Sequence, residues 1–400
     1  MSGAAGGADL IRVCFVNYYA YPLFNPAAKS SFGGAELQLY VMATELAKDA
    51  DFAVSFLVRD PAVQPGEVRE GVAIHGHVPH GRGPRFTGRV RQLRALWSPL
   101  RSIGPDIVIQ RAAGPLTGEI AIFCALHRSA FIYMVAHDSD LGGRRPSWWD
   151  PGPHGRVNWT LYRLGLRLAA RVIVQHAGQG ALLRARYGRA GILRPCVQRP
   201  AAAPSPVRER FVLWVARAEP WKQPERFLEL AAAFPQERFV MVCPPAESDP
   251  GFFHRVRENA ARLKNLEFHG AVPWPGIEDY FGRALLFVNT SRSEGFPNTF
   301  VQAWKHGTPV VSLAVDPDGA IEHNGLGAAC GGDPARLRDD LAALLADPAR
   351  WATCSRTALA FARTRHDISA QIEVDKEVLR AVWKERSGRG HQPAGRGEVR

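Results

Sequence analysis

The sequence predicts an α/β fold of two doubly wound, Rossmann-like parallel-sheet domains, and three observations lead there. At 400 residues the chain exceeds what one compact core ordinarily supports. Short apolar runs alternate with helical segments, the pattern of parallel strands joined by crossover helices. The series occurs twice, once on each side of a proline-bearing stretch of small residues.

The first series opens with a buried-strand run at 10–16, followed by a helix over 35–49 and strands at 53–58, 106–110, 130–135 and 171–175. The stretch QRPAAAPSPVRER, 198–210, carries three prolines among small residues and reads as a linker. Strands at 211–215, 238–242, 266–269, 285–289 and 309–313 follow, with helices over 223–234 and 299–306 and a last helix near 368–384. The expected organisation is an N-terminal domain at 9–198, a linker at 199–210 and a C-terminal domain at 211–367. The helix at about 368–385 is expected to return to the first domain, ahead of a disordered Gly/Arg-rich tail at 386–400. Ligands of such sheets bind beyond the carboxyl ends of the strands.

Composition excludes several classes. With 46% apolar and 22% charged residues, wholesale disorder is ruled out, and no uninterrupted 18-residue apolar run provides a spanning helix. The six cysteines are never closer than 24 residues, so no redox pair or zinc knuckle is formed in sequence. Residues 1–8 lack a cationic, apolar leader pattern, which makes a cytoplasmic location the expectation.

The net charge of +12 is unevenly placed: residues 1–200 hold 24 Lys and Arg against 13 Asp and Glu, and 151–200 holds nine Arg and no acid. Such an excess suits phosphate-bearing substrates, an anionic membrane surface or nucleic acid. Arg163 and Arg167 lie one helical turn apart beside Leu164 and Leu168, which fits either a helix resting on headgroups or a solvated face. Aromatic residues are too sparse there for a single-strand nucleic-acid platform, so no specific nucleic-acid partner is expected.

Several motifs carry chemistry. Gly33 and Gly34 stand at a helix entrance, where bare backbone lets a ligand oxygen approach the N–H groups; the spacing is neither GxGxxG nor a Walker loop, and a packing turn reads equally well. Arg217 lies just past a buried strand and Lys222 near the next helix start, a placement able to clamp a pyrophosphate or to be ordinary surface charge. In NTSRSEGFPNTFVQAW a Gly/Pro loop leads from a strand into a helix. Glu294 could hold sugar hydroxyls and Gln302 ribose hydroxyls; the alternative is a solvated Glu294 beside a helix cap. His137 follows a strand, ahead of Asp138 and Asp140, two loop acids too few for a metal motif. His75, His77 and His80 lie in GVAIHGHVPHGRGPR, read as a flexible loop that could border an acceptor groove, and Arg111 follows a strand as a further acceptor or phosphate candidate.

The segments SRSEGFPNTFVQAWKHGTPVVSL, LWVARAEPWKQPERFLELA, FNPAAKSSFGGAELQLYVMATELA and FIYMVAHDSDL closely resemble those of retaining GT-B glycosyltransferases of family 4, stand in that family's order along the chain, and extend the resemblance over about residues 10–380. The resemblance implies a nucleoside-diphosphate-sugar donor, no cofactor and no metal. Arg217 and Lys222 would bind the donor diphosphate, and Glu294 the donor sugar. The backbone of Gly295, Phe296, Pro297, Asn298 and Thr299 would lie against sugar and phosphate. Gly33 and Gly34 would face phosphate and acceptor, and His137 would stand near the reacting carbon. The acceptor would be a glycan or lipid-linked hydroxyl, anionic in keeping with the basic first half, with peripheral membrane contact. One departure stands out: the family's E-x7-E motif begins at Glu294 but has Gln302 where its second carboxylate, the usual ribose ligand, would be. That exchange leaves a non-catalytic nucleotide-sugar or glycan binder as the alternative.

Overall fold

The computed structural model describes residues 10–28, 32–77, 85–142, 152–201, 208–246, 249–273 and 276–388. It divides into two compact units. The first comprises residues up to Val174 with Leu182–Leu193 and the chain from Gln371; the second comprises Gln175–Ala181 and Arg194–Ala370.

In the first unit the strands are β1 (Ile11–Val16), β2 (Phe52–Val58), β3 (Val68–Arg69), β4 (Val72–Gly76), β5 (Ile107–Arg111), β6 (Ala130–Met134), β7 (Arg171–Val174) and β8 (Ile192–Leu193). They lie in the order β3-β4-β2-β1-β5-β6-β7-β8, parallel except at the short β3 edge. The helices are α1 (Tyr21–Phe24), α2 (Gly34–Leu46), α3 (Arg85–Ile103), α4 (Pro115–Leu126), α5 (Pro153–Leu168) and α6 (Ala177–Tyr187). β1 and β5 are buried along nearly their whole length, as parallel strands covered on both faces must be. On one face α4 and α5 meet backbone to backbone. A Cβ on Gly118 would stand 2.2 Å from the Leu161 carbonyl oxygen, and one on Gly165 2.7 Å from the Thr117 carbonyl, so only glycine permits this approach.

The second unit holds β9 (Phe211–Val215), β10 (Arg238–Val242), β11 (Leu266–His269), β12 (Leu286–Asn289), β13 (Val310–Ser312) and β14 (Gly327–Ala329), in the order β11-β10-β9-β12-β13-β14, all parallel. Its helices are α7 (Pro224–Ala233), α8 (Pro250–Ala260), α9 (Gly276–Arg283), α10 (Asn298–Lys305), α11 (Ala320–Asn324), α12 (Pro334–Ala346) and α13 (Pro348–Arg365), and α14 (Ile368–Gly388) follows. Period-two alternation divides β9 and β10 between two cores. Val212, Trp214, Phe239 and Met241 point to one layer, and Phe211, Leu213, Val240 and Val242 to the other, with Phe300 and Trp304 of α10. Each such large side chain contributes about 1.5–3 kcal/mol on burial.

Three local readings change. Val72–Gly76, read as a flexible loop with solvated histidines, is strand β4; Val72 and Ile74 face the core and His77 is buried. Alternating Val and Ile are the signal, and the glycines on both sides masked it. Residues 175–181 and 194–198, placed in sequence with the first domain, group with the second, where Asp318 Oδ2 accepts a 2.7 Å hydrogen bond from the Ala177 N–H. The last helix continues through Gly388; His80, residues 202–207 and the tail from 389 lie outside the described residues. Within the first unit α14 is fastened by Lys376 to Asp49 at 2.8 Å and Arg380 to Asp51 at 2.8 Å. Among the described residues no helix is long and apolar enough to cross a membrane.

Candidate active site

The order of the second sheet makes a topological switch point between β9 and β12: chain connections leave these neighbours toward opposite sides, opening a crevice at their carboxyl ends. The segments leaving those two strands, 216–223 and 290–297, carry Arg217, Lys222 and Glu294.

Buried side chains knit the two segments together. Trp214 Nε1 donates to Thr290 Oγ1 at 2.8 Å, and the Thr290 hydroxyl donates to the Lys222 carbonyl at 2.7 Å. The Arg292 N–H donates to the Trp221 carbonyl at 2.9 Å. On this support Lys222 forms an ion pair with Glu294, and the Ser291 hydroxyl donates to the same Glu294 oxygen at 2.8 Å. The pair is largely withdrawn from solvent, with side chains 17% and 11% exposed. Lys222 Nζ also stands 4.0 Å from the centre of the Trp221 ring, a cation–π contact. Arg217, by contrast, is exposed, so its charge faces solvent at the mouth of the crevice.

The loop continues through Gly295, Phe296 and Pro297 into α10. Gly295 and Pro297 are buried; Pro297, at the cap, lacks a side-chain acceptor for the helix amides, so the dipole's positive end remains available to an anion. Asn298 does not turn its side chain to that opening, since its Oδ1 takes a contact from Cys196 Sγ at 2.7 Å. Thr299 is half-buried in the first turn.

Gln302 is buried one turn further on, where its Nε2 donates to Glu278 Oε1 of α9 at 3.0 Å. Lys305 Nζ reaches the second Glu278 oxygen at 2.8 Å and His306 Nε2 the same oxygen at 3.0 Å. Burial alone would raise the Glu278 carboxyl, but His306, Lys305 and Gln302 together hold it below the usual carboxylate range. Glu278 has no local sequence signal: its partner lies 24 residues away and only the packing of α9 on α10 joins them.

The other candidates fall in the first unit, around its own switch point between β1 and β5. Gly33 caps α2; its N–H donates to Glu36 Oε2 at 2.8 Å while Asn17, just past β1, donates to Glu36 Oε1 at 3.0 Å. Glu36 therefore ties the β1 exit to the glycine pair, and Gly34 is exposed. Arg111, the further acceptor or phosphate candidate, ends β5 and is buried, with its charge favouring the Asp140 carboxylate. His137 is half-buried at the start of a short 3-10 turn, where its Nδ1 accepts from the Ser139 N–H at 3.0 Å. In the neutral ring that leaves the proton on Nε2. Asp140 Oδ2 accepts from the Ala136 N–H at 2.8 Å and the His137 N–H at 3.1 Å; burial nevertheless raises its carboxyl. Among the described residues no three His, Cys, Asp or Glu side chains gather as metal ligands.

Comparison with known proteins adds to this geometry. Residues 32–193 match the family described as Glycosyltransferase Family 4, and residues 209–347 the family described as Glycosyl transferases group 1. The D-inositol 3-phosphate glycosyltransferase 1 of Catenulispora acidiphila is 30% identical over 384 residues, covering 87% of this chain and 90% of that protein. The D-inositol 3-phosphate glycosyltransferase of Mycolicibacterium paratuberculosis is 29% identical over 210 residues; the match takes in 50% of this chain and 48% of that protein, so the chain spans about half the length of that relative. Among solved structures, the sucrose-phosphate synthase of Thermosynechococcus elongatus superposes with a TM-score of 0.71 at 19% identity, covering 94% of this chain and 100% of that one. Anabaena HepE, solved with UDP-glucose, gives 0.72 at 17% identity, covering 93% and 100%. These structural likenesses show the GT-B fold, and with the family matches and the near full-length relative they establish that the chain belongs to the group 1, family 4 glycosyltransferases.

Proposed function

We propose that this chain transfers a sugar from a nucleoside-diphosphate sugar to a hydroxyl acceptor with retention of anomeric configuration. The observation that carries the reading is the Lys222–Glu294 pair held at the switch point of a 3-2-1-4-5-6 sheet, with Arg217 exposed nearby and the amino end of α10 following. Arg217, Lys222 and the helix amides bind the diphosphate and stabilise the charge that grows on it as the glycosidic bond breaks. Glu294, fixed by Lys222 and Ser291, accepts hydrogen bonds from the sugar hydroxyls. The acceptor hydroxyl attacks the face from which the diphosphate departs; the new C–O bond replaces the old one, and the leaving phosphate oxygen takes the hydroxyl proton. No protein nucleophile enters this scheme, so catalysis rests on positioning and electrostatics.

The acceptor is a glycan or lipid-linked hydroxyl of a polysaccharide or glycoconjugate route, in keeping with the excess charge of the first half. Arg163 and Arg167, both exposed on α5, supply a contact with an anionic membrane. The named acceptor of the inositol-phosphate relatives is one substrate class to test. A transfer assay with UDP-, GDP-, ADP- and TDP-sugars, with the product's anomeric configuration read by NMR, checks the proposal; an inverted product, or undiminished turnover in both Arg217→Ala and Lys222→Ala, would overturn it.

The binding-only alternative rests on Gln302. It predicts nucleotide-sugar affinity with no transfer to any acceptor, which the same assay separates from turnover.

A further inference from the structure

A groove of about 680 Å³ lies wholly within the first unit, between β4, α3 and the loop 59–66. β2 and β4 run parallel, so this loop and His77 both lie at the carboxyl edge of the sheet, the edge at which ligands of doubly wound sheets bind. Gly76 lets the walls come close: a Cβ there would be 3.2 Å from Val63 Cβ.

The lining mixes apolar side chains, among them Val63, Ile74 and Pro99, with polar ones, and its positive charge comes from Arg91 and Arg94. His75 and His77 come from β4 and its exit, and Arg91, Arg94 and Ser98 from α3. Asp60 is the one acidic lining residue among those described, and its Oδ1 accepts from the Ala62 N–H at 2.9 Å, within its own loop. Arg91 has both Nε and Nη2 buried with no hydrogen-bond partner among the described residues, and His77 Nδ1 is in the same condition. The His77 ring is held in place by stacking on Tyr18, with centroids 5.1 Å apart and planes at 21°. Buried guanidinium N–H groups left without acceptors are costly, and two of them on one fork suit the paired oxygens of a phosphate. None of these side chains takes part in the donor chemistry described above.

We infer that this groove is a subsite for a phosphate ester, with Arg91 as its fork and Arg94 at its rim, and that the acceptor carries that phosphate. Calling the ligand an acceptor rests on the glycosyltransferase reading; the phosphate site itself does not. The phosphate belongs to a soluble sugar phosphate or to a lipid headgroup, which share this chemistry.

Calorimetry on the full chain tests the site with glucose 6-phosphate against glucose, and with vesicles of phosphatidic acid in phosphatidylcholine against phosphatidylcholine alone. In at least one arm the phosphate-bearing probe should bind tenfold or more tightly than its control, and the arm that responds identifies the source. Arg91→Gln should lose at least tenfold of that affinity and Arg91→Lys less. Arg94→Gln, at an exposed position that does not endanger folding, should lose two- to fivefold. Because Arg91 Nε and Nη2 have no hydrogen-bond partner to lose among the described residues, the melting temperature of Arg91→Gln should be unchanged or raised. Equal binding of probe and control in both arms, or unchanged affinity in the Arg91 and Arg94 variants, would overturn the proposal. Binding of UDP-, GDP-, ADP- and TDP-sugars measured on the same samples keeps the readings apart. Absence of all four beside intact phosphate binding counts against the transferase reading alone, and binding of any one without phosphate binding counts against the groove alone.

Discussion

Gln302 donates its side-chain amide to Glu278 at 3.0 Å, so the position where the motif resemblance implies a second glutamate is here an amide facing a carboxylate. A second carboxylate at 302 would lose that hydrogen bond and set two negative charges together, with Lys305 and His306 only partly compensating. Gln302→Glu should therefore cost about 1–3 kcal/mol of stability. Adding Glu278→Gln should restore most of it, because the donor and acceptor are then exchanged. Urea unfolding of the two single variants and the double variant checks this, and a more stable Gln302→Glu protein would contradict it. Transfer activity should not rise in Gln302→Glu unless Glu278 is changed too.

The Lys222–Glu294 pair predicts a different pattern. Either partner removed alone leaves a largely buried charge without its counterion, a change that costs about 3 kcal/mol when burial is complete and less here, where both side chains keep some exposure. Lys222→Met with Glu294→Gln should be more stable than the sum of the two single changes implies. Transfer, however, should fall a hundredfold or more in Lys222→Met and stay low in the double variant. Recovery of turnover along with stability would mean that Lys222 serves only the fold.

The close crossing of α4 and α5 gives a packing test within the first unit. Gly118→Ala places a methyl group 2.2 Å from the Leu161 carbonyl oxygen, so the helices must separate. A loss of about 2–4 kcal/mol is expected, above the ordinary range for overpacking because backbone cannot rotate away. Gly114→Ala, with open space around its Cβ, is the control and should leave the melting temperature nearly unchanged.

Acid should weaken the second unit through His366. Burial pushes this imidazole down to about 4, although its Nδ1–H donates to the Cys196 carbonyl at 2.6 Å. The unfolded chain takes up this proton near pH 6.5 and the folded chain only near pH 4, so stability is complete above 6.5 and is lost as pH falls from there to 4. The span corresponds to at most about 3 kcal/mol. Thermal unfolding followed from pH 7 to pH 4 should show that slope, and His366→Asn should flatten it; parallel profiles for the two proteins would exclude His366 as the cause.

Much of the architecture was legible in the chain because strand burial is a local matter. Phe211–Val215, Arg238–Val242 and Leu266–His269 are strands over the very residues whose apolar runs predict them. Val72–Gly76 was not, since glycine and histidine around it look like loop chemistry until β2 supplies a partner. In the candidate site Lys222 and Glu294 are legible as residue types near strand ends, whereas Thr290 as the link between their segments is not.

By itself the sequence determined the two α/β series, the family, the uneven charge and the set of polar residues near the strand ends, because apolar periodicity and short motifs are written in neighbouring positions. Tertiary structure alone decided how those residues are used. It buried Arg111 beside Asp140, turned Gln302 toward Glu278, paired Lys222 with Glu294 and left the Arg91 fork without a partner among the described residues of its groove. Each of these depends on chain segments brought together by sheet order and helix packing, and a charge's role is set by the dielectric and the neighbours it meets there.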